Sequence, residues 1–577
     1  MQNCRWLVLQ LLPFFTLVVL LSVKPAKLYS QVLPVGTQVL EDRYRRDQLL
    51  GLVDSTISFT IRPLTAAALE RRNVFNPDSA DDMSSVVYTT PDDRGFVQLL
   101  PASIQYRNNS NYPYGWNDGS MVPARGGQAK LSIGILAKYR FFSLQFQPEL
   151  VTASNRKYDE FAATPGYGWH WYYTFGNRID MPEYFGKGVY SAASWGQSSI
   201  RVNFDPVSVG FSTENLWWGP GIRNSLLMSN TAQGFPHLTV NTTKPVSTNI
   251  GTFEGQFVAG ELKASGFPPS YTEESKHHEM FYVEKPDVDR YFSGLIASYQ
   301  PKWVKGLSLG WISTMVVNQS DRSGNLRDVF PFLKPNDKEV AYLDADRGTP
   351  RTSKDYSIRY SSLFFRWAMP AGKLELYGEY GRSLRPDNGR NRIVQAAHSR
   401  GYIIGFRKLL PASWIKPGDV LQFGAELTQL SFNPSYFLNS DPSPTWYTHH
   451  VVRDGYTHRG QVLGAGIGPG SNLQSLQVSW VRGLKQVGLQ FERLAQKEDF
   501  FYSYGHVNDL RRQWVDLGVQ AYADWDFDRV IASIGMQYTH AYNYRFEFYM
   551  PPGNTFWEFE PQDKPNFTLQ LGLTYRF

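Results

Sequence analysis

The chain is poor in cysteine, in long apolar runs and in net charge, and each shortage excludes a class of protein. Its one cysteine is Cys4, which leaves the rest of the chain without disulfides, thiolate metal ligands or a cysteine nucleophile. After residue 30, no segment is apolar enough to cross a membrane as a helix. A net charge of +6 over 577 residues is too balanced to indicate nucleic-acid binding.

Residues 1–30 have the pattern of an export signal. Arg5 precedes the apolar run Trp6–Val23, and a cleavage point before Gln31 follows. Because Cys4 lies inside this segment and no cysteine stands at the cleavage point, the pattern argues against a lipoprotein. An uncleaved anchor helix is the alternative, and the sequence leaves it open.

The remaining chain predicts strands. Its last segment alternates apolar and polar residues, a period of two that places each set on one face of a strand. The apolar set is Phe567, Leu569, Leu571, Leu573, Tyr575 and Phe577, and the polar set is Thr568, Gln570, Gly572, Thr574 and Arg576. Aromatic residues make up 15% of the chain, which is typical of a barrel with aromatic girdles.

The same alternation recurs in segments separated by long polar stretches. Alternating segments lie at 142–147, 200–211, 374–381 and 530–539. Short turns that alternate with long loops are typical of outer-membrane barrels, and in lipid every strand edge must be paired. The sequence therefore predicts an all-β fold, a transmembrane antiparallel β-barrel over residues 96–577, located in the outer membrane.

Residues 31–95 differ from the barrel segment. Val39–Val53 and Leu64–Arg72 are rich in helix-forming residues and carry many charges. They are too polar to face lipid, so we predict short helices that lie in the periplasm or plug the barrel mouth. A disordered leader is the alternative.

The most distinctive segment is STENLWWGPGIRN, residues 212–224. Here Trp217 and Trp218 run into Gly219-Pro220-Gly221, a sequence that dictates a turn. Together with GQSSIRV at 196–202 and GQVLGAGIGPGSN at 460–472, this segment resembles the Wzi family of capsule assembly proteins.

The resemblance implies a barrel of about eighteen strands with an N-terminal helical plug. It also implies a lectin-like protein without catalysis that binds capsular or extracellular polysaccharide and attaches it to the cell surface. Glycans are bound by aromatic rings and planar polar groups, so the candidate glycan ligands are Tyr114, Trp116, Trp169, Trp171, Glu214, Trp217, Trp218, Arg223 and Asn224. If the polymer is acidic, Arg223, Arg382 and Arg385 are candidates for pairing with its carboxylates.

Each candidate also has a structural interpretation. Any single aromatic residue could instead belong to a membrane-interface girdle or pack within a loop. Tyr542, Tyr544, Phe556 and Trp557 form a further aromatic cluster with the same two interpretations. For the WWGPG segment, a structural role and ligand contact are equally supported.

Other functions have weaker support. The chain has no Walker loop, no G-x-S-x-G and no H-E-x-x-H, and His277-His278-Glu279 lacks a third spaced ligand. We therefore predict no enzyme, no cofactor and no metal. The alternatives are a channel for saccharide or polymer and, third, a barrel hydrolase or acyltransferase. The expected partners are the polysaccharide and outer-membrane lipid. From its position alone, the N-terminal segment could also bind export machinery. We expect a monomer.

Overall fold

The computed structural model describes residues 31–159, 169–269, 276–333, 338–345, 348–383, 399–432, 445–504, 510–553 and 555–577. The predicted export signal lies outside these ranges. No helix among the described residues is long and apolar enough to cross a membrane.

Eighteen strands form the barrel wall, and we number them β1–β18 in chain order. Three of them, β3, β4 and β6, are each interrupted once and continue after the break. The strands are β1 Gly95–Asn109, β2 Gly126–Tyr139, β3 Phe142–Phe146 and Glu149–Ala153, β4 Tyr190–Ser194 and Ser199–Phe204, β5 Val207–Ser212, β6 His237–Thr242 and Val246–Ser247, β7 Gly251–Leu262, β8 Arg290–Pro301, β9 Leu307–Asn318, β10 Ser357–Met369, β11 Leu374–Ser383, β12 Arg400–Pro411, β13 Val420–Gln429, β14 Asn472–Arg482, β15 Lys485–Ala495, β16 Val515–Asp526, β17 Val530–Tyr542 and β18 Lys564–Tyr575.

The sheet closes on itself. Each strand pairs antiparallel with its neighbour in sequence, and β18 pairs with β1 from Thr568 opposite Asn109 to Tyr575 opposite Ala102. A closed sheet has no free edge, as the hydrocarbon core of a membrane requires. The predicted fold class is therefore confirmed.

Helices and short strands complete the fold. The helices are α1 Gln38–Leu49, α2 Ala66–Leu69, α3 Trp169–Gly176, α4 Lys276–Phe281 and α5 Glu498–Tyr504, with 3₁₀ turns at Gln319–Asp321, Leu326–Asp328, Pro370–Gly372, Leu510–Arg512 and Tyr544–Phe546. Val86–Thr89 pairs with the first residues of β1 at the edge of the wall. Short strands outside the wall are Val32–Leu33, Ile61–Arg62, Leu64–Thr65, Trp217–Trp218, Val340–Asp344, Thr349–Ser353, Thr457–His458, Gln461–Val462, Phe548–Tyr549 and Glu560–Pro561.

The outer face of the wall is apolar and the inner face polar. On β18, Phe567 and Leu573 are 45% and 50% exposed, whereas Asn566 and Thr568 are buried. Exposed apolar side chains that alternate with buried polar ones give a barrel its lipid-facing belt. The alternation read from the last segment therefore predicted the two faces of β18 correctly.

Connections at the two ends of the barrel differ in length. One end carries short turns such as 140–141, 205–206 and 483–484, and the other carries long loops such as 110–125 and 213–236. Short turns face the periplasm in barrels of this kind, and the long loops face outward.

The N-terminal helices are shorter than the sequence predicted. The helix expected over Val39–Val53 is α1, and it ends before Gly51, which adopts a left-handed conformation with φ +78°. Of the segment Leu64–Arg72, which was expected to be helical, only α2 forms a helix. It ends because Glu70 adopts a left-handed backbone conformation. Helix-forming composition did not reveal either stop.

The N-terminal segment packs inside the barrel as a plug. Its apolar residues Leu40, Tyr44 and Phe59 share a core with Leu100 on β1 and Leu136 on β2. Burial of such side chains stabilises by about 1.5–3 kcal/mol each, which favours a docked segment over a disordered leader.

Charged residues of α1 also bind the inner wall. Arg45 Nε donates to Glu375 Oε1 on β11 at 2.8 Å, and Arg366 on β10 donates to the same oxygen. Asp42 accepts from Arg407 Nη2 on β12 at 2.8 Å. Buried charges are tolerated only when paired, so the positions of these wall residues fix the position of the plug.

We predict that Asp42→Asn loosens the plug. Burial favours a higher pKa for Asp42, but Arg407 and Arg46 outweigh it and hold the pKa below its usual range. The stabilisation is therefore present above about pH 4 and is lost as the pH falls through the lower folded pKa. The variant leaves Arg407 without its carboxylate and should cost about 3 kcal/mol, measured as faster hydrogen exchange of α1 amides. Glu70→Gln, at an exposed position, is the control, and unchanged exchange in Asp42→Asn would contradict the prediction.

Candidate functional site

The two tryptophans of the WWGPG segment lie deep inside the barrel. Trp217–Trp218 form a short strand that pairs with Ile61–Arg62 of the plug. The Trp218 Nε1–H donates to Gln256 Oε1 on β7 at 2.8 Å, and the Arg62 guanidinium lies 4.4 Å from the Trp217 ring centroid. Trp217 is 3% exposed and Trp218 is fully buried, so an outer loop reaches inward to the plug.

The Gly-Pro-Gly turn is held by the plug. Gly219 has φ +114°, and its N–H donates to Thr60 O at 2.8 Å. The Pro220 carbonyl accepts from Arg45 Nη2 at 2.6 Å. A Cβ on Gly221 would lie 1.9 Å from Asn224 O. Both glycines are therefore required by the geometry of this turn.

Directly after the turn, one carboxylate of the wall accepts hydrogen bonds from the backbone. Glu426 on β13 accepts the N–H groups of Ile222, Arg223 and Asn224 at 2.7, 3.0 and 2.8 Å. Three successive N–H groups that converge on one anion form a nest. Asn224 is fully buried, and its side chain donates to Thr428 Oγ1 at 3.2 Å.

Glu214 lies at the start of the segment and is also engaged. It accepts from Arg201 Nη2 on β4 at 2.5 Å and from Ser212 Oγ at 2.8 Å, and it is 1% exposed. In this structure Glu214, Trp217, Trp218 and Asn224 contact protein groups. Glycan contact by these four residues therefore stays a prediction.

Three other predicted residues meet at a partly open place, which we call the Trp116 roof, formed by Tyr114, Trp116 and Arg223. The Arg223 guanidinium lies 5.1 Å from the Trp116 ring centroid, and the Tyr114 and Trp116 rings are 5.9 Å apart. Arg223 Nη2 donates to Glu492 Oε1 on β15 at 2.5 Å. Burial, with Glu492 close by, raises the pKa of the Tyr114 phenol well above its ordinary value.

The roof combines a half-buried indole face with planar polar groups. Trp116 Nε1–H donates to the Arg223 carbonyl at 3.2 Å. The GQVLGAGIGPGSN segment at 460–472 packs closely against the roof, because a Cβ on Gly466 would lie 2.4 Å from Trp116 Cβ. Sugar rings present apolar faces and hydroxyl groups, and the roof offers partners for both.

The remaining predicted aromatic residues, Trp169 and Trp171, lie on α3 rather than in a loop. Their side chains are outside the described residues, as are those of His277 and His278 on α4. Arg385 is also outside the described residues.

An exposed aromatic surface lies on the long loop before β18. Trp557 and Phe556 are 77% and 51% exposed, and their ring centroids are 4.8 Å apart. The Arg511 guanidinium stacks 3.6 Å from the Phe556 centroid. We call this surface the outer ledge, and the aromatic composition of the loop indicated it in the sequence.

Among the described residues, Asp355, His449 and His450 form the one cluster whose ligand atoms lie within 4.8 Å of one another. His449 Nδ1 accepts the N–H groups of Val451 and Val452 at 3.2 and 3.0 Å. The hydrogen of the neutral ring is therefore on Nε2, which leaves that atom no lone pair for a metal. This geometry does not favour metal binding.

Comparison with known proteins shows which family has this architecture. A model of the family described as capsule assembly protein Wzi matches residues 111–543. The chain belongs to the Wzi family. The match covers the WWGPG segment and most of the wall, and this Wzi-family protein is an outer-membrane β-barrel.

One of the solved structures compared supports the fold. The chain is similar to Wzi of Escherichia coli, described as an outer-membrane carbohydrate-binding β-barrel involved in group 1 capsule assembly. Identity is 11%, the TM-score is 0.56, and the match covers 95% of this chain and 100% of that one. OccAB3 of Acinetobacter baumannii matches at 10% identity and TM-score 0.36 over 83% and 99% of the two chains, too low to support an argument. Comparison with curated protein sequences found no match.

We predict that Gly219→Ala destabilises this Wzi-family barrel more than Gly266→Ala does. Both glycines have positive φ, +114° and +76°, so an alanine at either position bears backbone strain. A Cβ at Gly219 would lie 2.8 Å from Glu379 Oε2, whereas nothing lies within 4 Å at Gly266. The difference in free energy of unfolding should be about 2 kcal/mol by urea titration in detergent. Equal destabilisation would show that the turn is not closely packed against the wall.

Proposed function

We propose that this protein binds a capsular or extracellular polysaccharide at the outer surface and attaches it to the cell. Membership of a capsule assembly family supports this proposal, as does the similarity to a barrel described as carbohydrate binding. The observation that carries it is the filled barrel: the plug and the WWGPG loop meet inside the lumen at Trp217 and Arg62. A lumen filled from both ends suits retention of a polymer better than its passage.

Two surfaces support contact with a glycan. The Trp116 roof combines a half-buried indole with Arg223. Beside the roof, the Nδ2 of Asn117 donates to the Arg223 carbonyl at 2.7 Å. The outer ledge adds the exposed rings of Phe556 and Trp557. Aromatic and arginine side chains dominate binding surfaces because they combine large apolar area with directional hydrogen bonds.

We further propose that the protein acts without catalysis and as a monomer. The predicted residues that the structure describes form ion pairs and structural hydrogen bonds, for example between Glu214 and Arg201, rather than a nucleophile next to a base. The closed wall leaves no strand edge that a second copy must cover. Export machinery that delivers the polymer would meet the plug, which lies toward the periplasmic turns.

A strain that lacks this protein should make normal amounts of polysaccharide and release it into the medium. The expected result is a fall in the cell-bound fraction with unchanged total, measured by assay of pellets and supernatants. Complementation with Trp116→Ala should restore less binding than the wild type. Trp303→Ala, an exposed tryptophan of a short turn, should restore it fully. Unchanged cell-bound polymer in the deletion strain would overturn the proposal.

Conductance separates attachment from the channel alternative. In planar bilayers the wild-type protein should be nearly silent, because the plug packs against the wall through Arg45 and Asp42. Deletion of residues 31–72 should open a steady conductance. Heat-modifiable gel migration confirms that the deleted form still closes its barrel. Steady conductance of the wild type would favour the channel.

A further inference from the structure

Three glutamines lie close to one another on the inner wall, on strands near the point where the barrel closes. Gln520 is on β16, Gln570 on β18 and Gln105 on β1. Across the strand pairs, Gln570 is opposite Gly535 of β17, and Gln105 is opposite Gly572 of β18. The glycines leave space between the amides, and we call the group Gln105, Gln520 and Gln570 the glutamine patch.

The side-chain amides of the glutamine patch make no hydrogen bonds within the described chain. A Cβ on Gly535 would lie 3.0 Å from Gln520 Nε2 and 3.4 Å from Gln570 Oε1, so both amides turn toward one space. All three side chains are half-buried, and within the described chain none of them has a hydrogen-bond partner. A polar lining is ordinary for a barrel. Three adjacent amides with every donor and acceptor available are a more specific feature, because each amide offers two N–H hydrogens and a carbonyl oxygen.

The first outer loop lies over the patch. Arg107 is opposite Gln570 and is paired with Asp118 of that loop. Lys130 is opposite Gln105, and its Nζ donates to the Asp118 carbonyl at 3.4 Å. Tyr114 and Trp116 of the Trp116 roof come just before Asp118 in the chain. An indole and a set of free amides therefore border the same region of the lumen.

Both arginines at this place are already paired with carboxylates. Arg223 is bound to Glu492 and Arg107 to Asp118, and Lys130 is turned to a backbone carbonyl of the roof loop. The carboxylate of an acidic sugar presents acceptors only, and it pairs with an arginine that has no carboxylate partner already. Neutral sugar hydroxyls both donate and accept, as amides do.

We propose that the glutamine patch holds an uncharged, hydroxyl-rich segment of the polysaccharide inside the barrel, beneath the Trp116 roof. This inference rests on the proposed function and assigns it both an inner site and a ligand class. It also gives Arg223 a positioning role beside Trp116 instead of the carboxylate-pairing role expected from the sequence.

The test uses the full-length protein in detergent and polysaccharide purified from the same organism, with affinity measured by calorimetry at low and high salt. Gln520→Leu/Gln570→Leu removes two amides at nearly constant volume and should weaken binding about tenfold. Gly535→Leu fills the space without removing an amide and should weaken binding similarly. Gln562→Leu, at an exposed loop position, and Lys130→Gln should stay within about twofold of the wild type.

The outcomes separate this inference from the proposed function. If the wild type does not bind the polymer, the proposed function fails. If the wild type binds and the double variant and Gly535→Leu bind equally well, the inner site fails while attachment stands. A steep loss of affinity with salt, or a tenfold loss in Lys130→Gln, would mean a charged ligand and would overturn the ligand class. Tryptophan fluorescence that changes on binding in the wild type but not in Trp116→Phe would support a ligand beneath the roof.

Discussion

Carboxylates on the inner wall hold in place most of what fills this barrel. Glu375 binds Arg45 of the plug, Glu426 binds three backbone N–H groups after the WWGPG turn, and Glu492 binds Arg223. Because these carboxylates are buried, each must find a donor, and each buried arginine must find an acceptor. The wall therefore dictates where the plug and the inner loop lie, and the packing of Trp218 against Phe292 follows from that placement.

The WWGPG loop joins the two ends of the molecule. Its tryptophans pair with the plug at Ile61–Arg62, and a few residues later Arg223 reaches the Trp116 roof on the outer side. Plug, inner loop and roof are thus in one continuous set of contacts. A residue such as Gly219 can therefore be essential without meeting a ligand, because it lets the chain turn between two packed surfaces.

The lumen is filled more completely beside the WWGPG loop than on the opposite wall, and this difference bears on function. Next to the WWGPG loop, wall residues such as Gln256 are hydrogen-bonded to what fills the barrel. On the opposite wall, β16–β18 and β1 present glutamines and glycines that leave polar space. A barrel that is closed by its plug and yet retains uncommitted amides under an aromatic roof is suited to hold part of a chain of sugars. Attachment of a polymer requires such holding, whereas free passage would require an open lumen.

The sequence by itself determined the barrel, its two faces and the plug, because lipid imposes a period of two that can be read from Phe567 to Phe577. It also identified the family through the WWGPG segment, and it brought out Tyr114, Trp116 and Arg223. It did not show that these three meet, or that Trp217, Trp218 and Glu214 face protein rather than solvent. The sequence did not show where α1 and α2 end. Helix-forming composition does not reveal which residues adopt the left-handed backbone conformation that Gly51 and Glu70 have. The glutamine patch could not be predicted, since Gln105 and Gln570 are far apart in the chain and become neighbours only when β18 closes against β1.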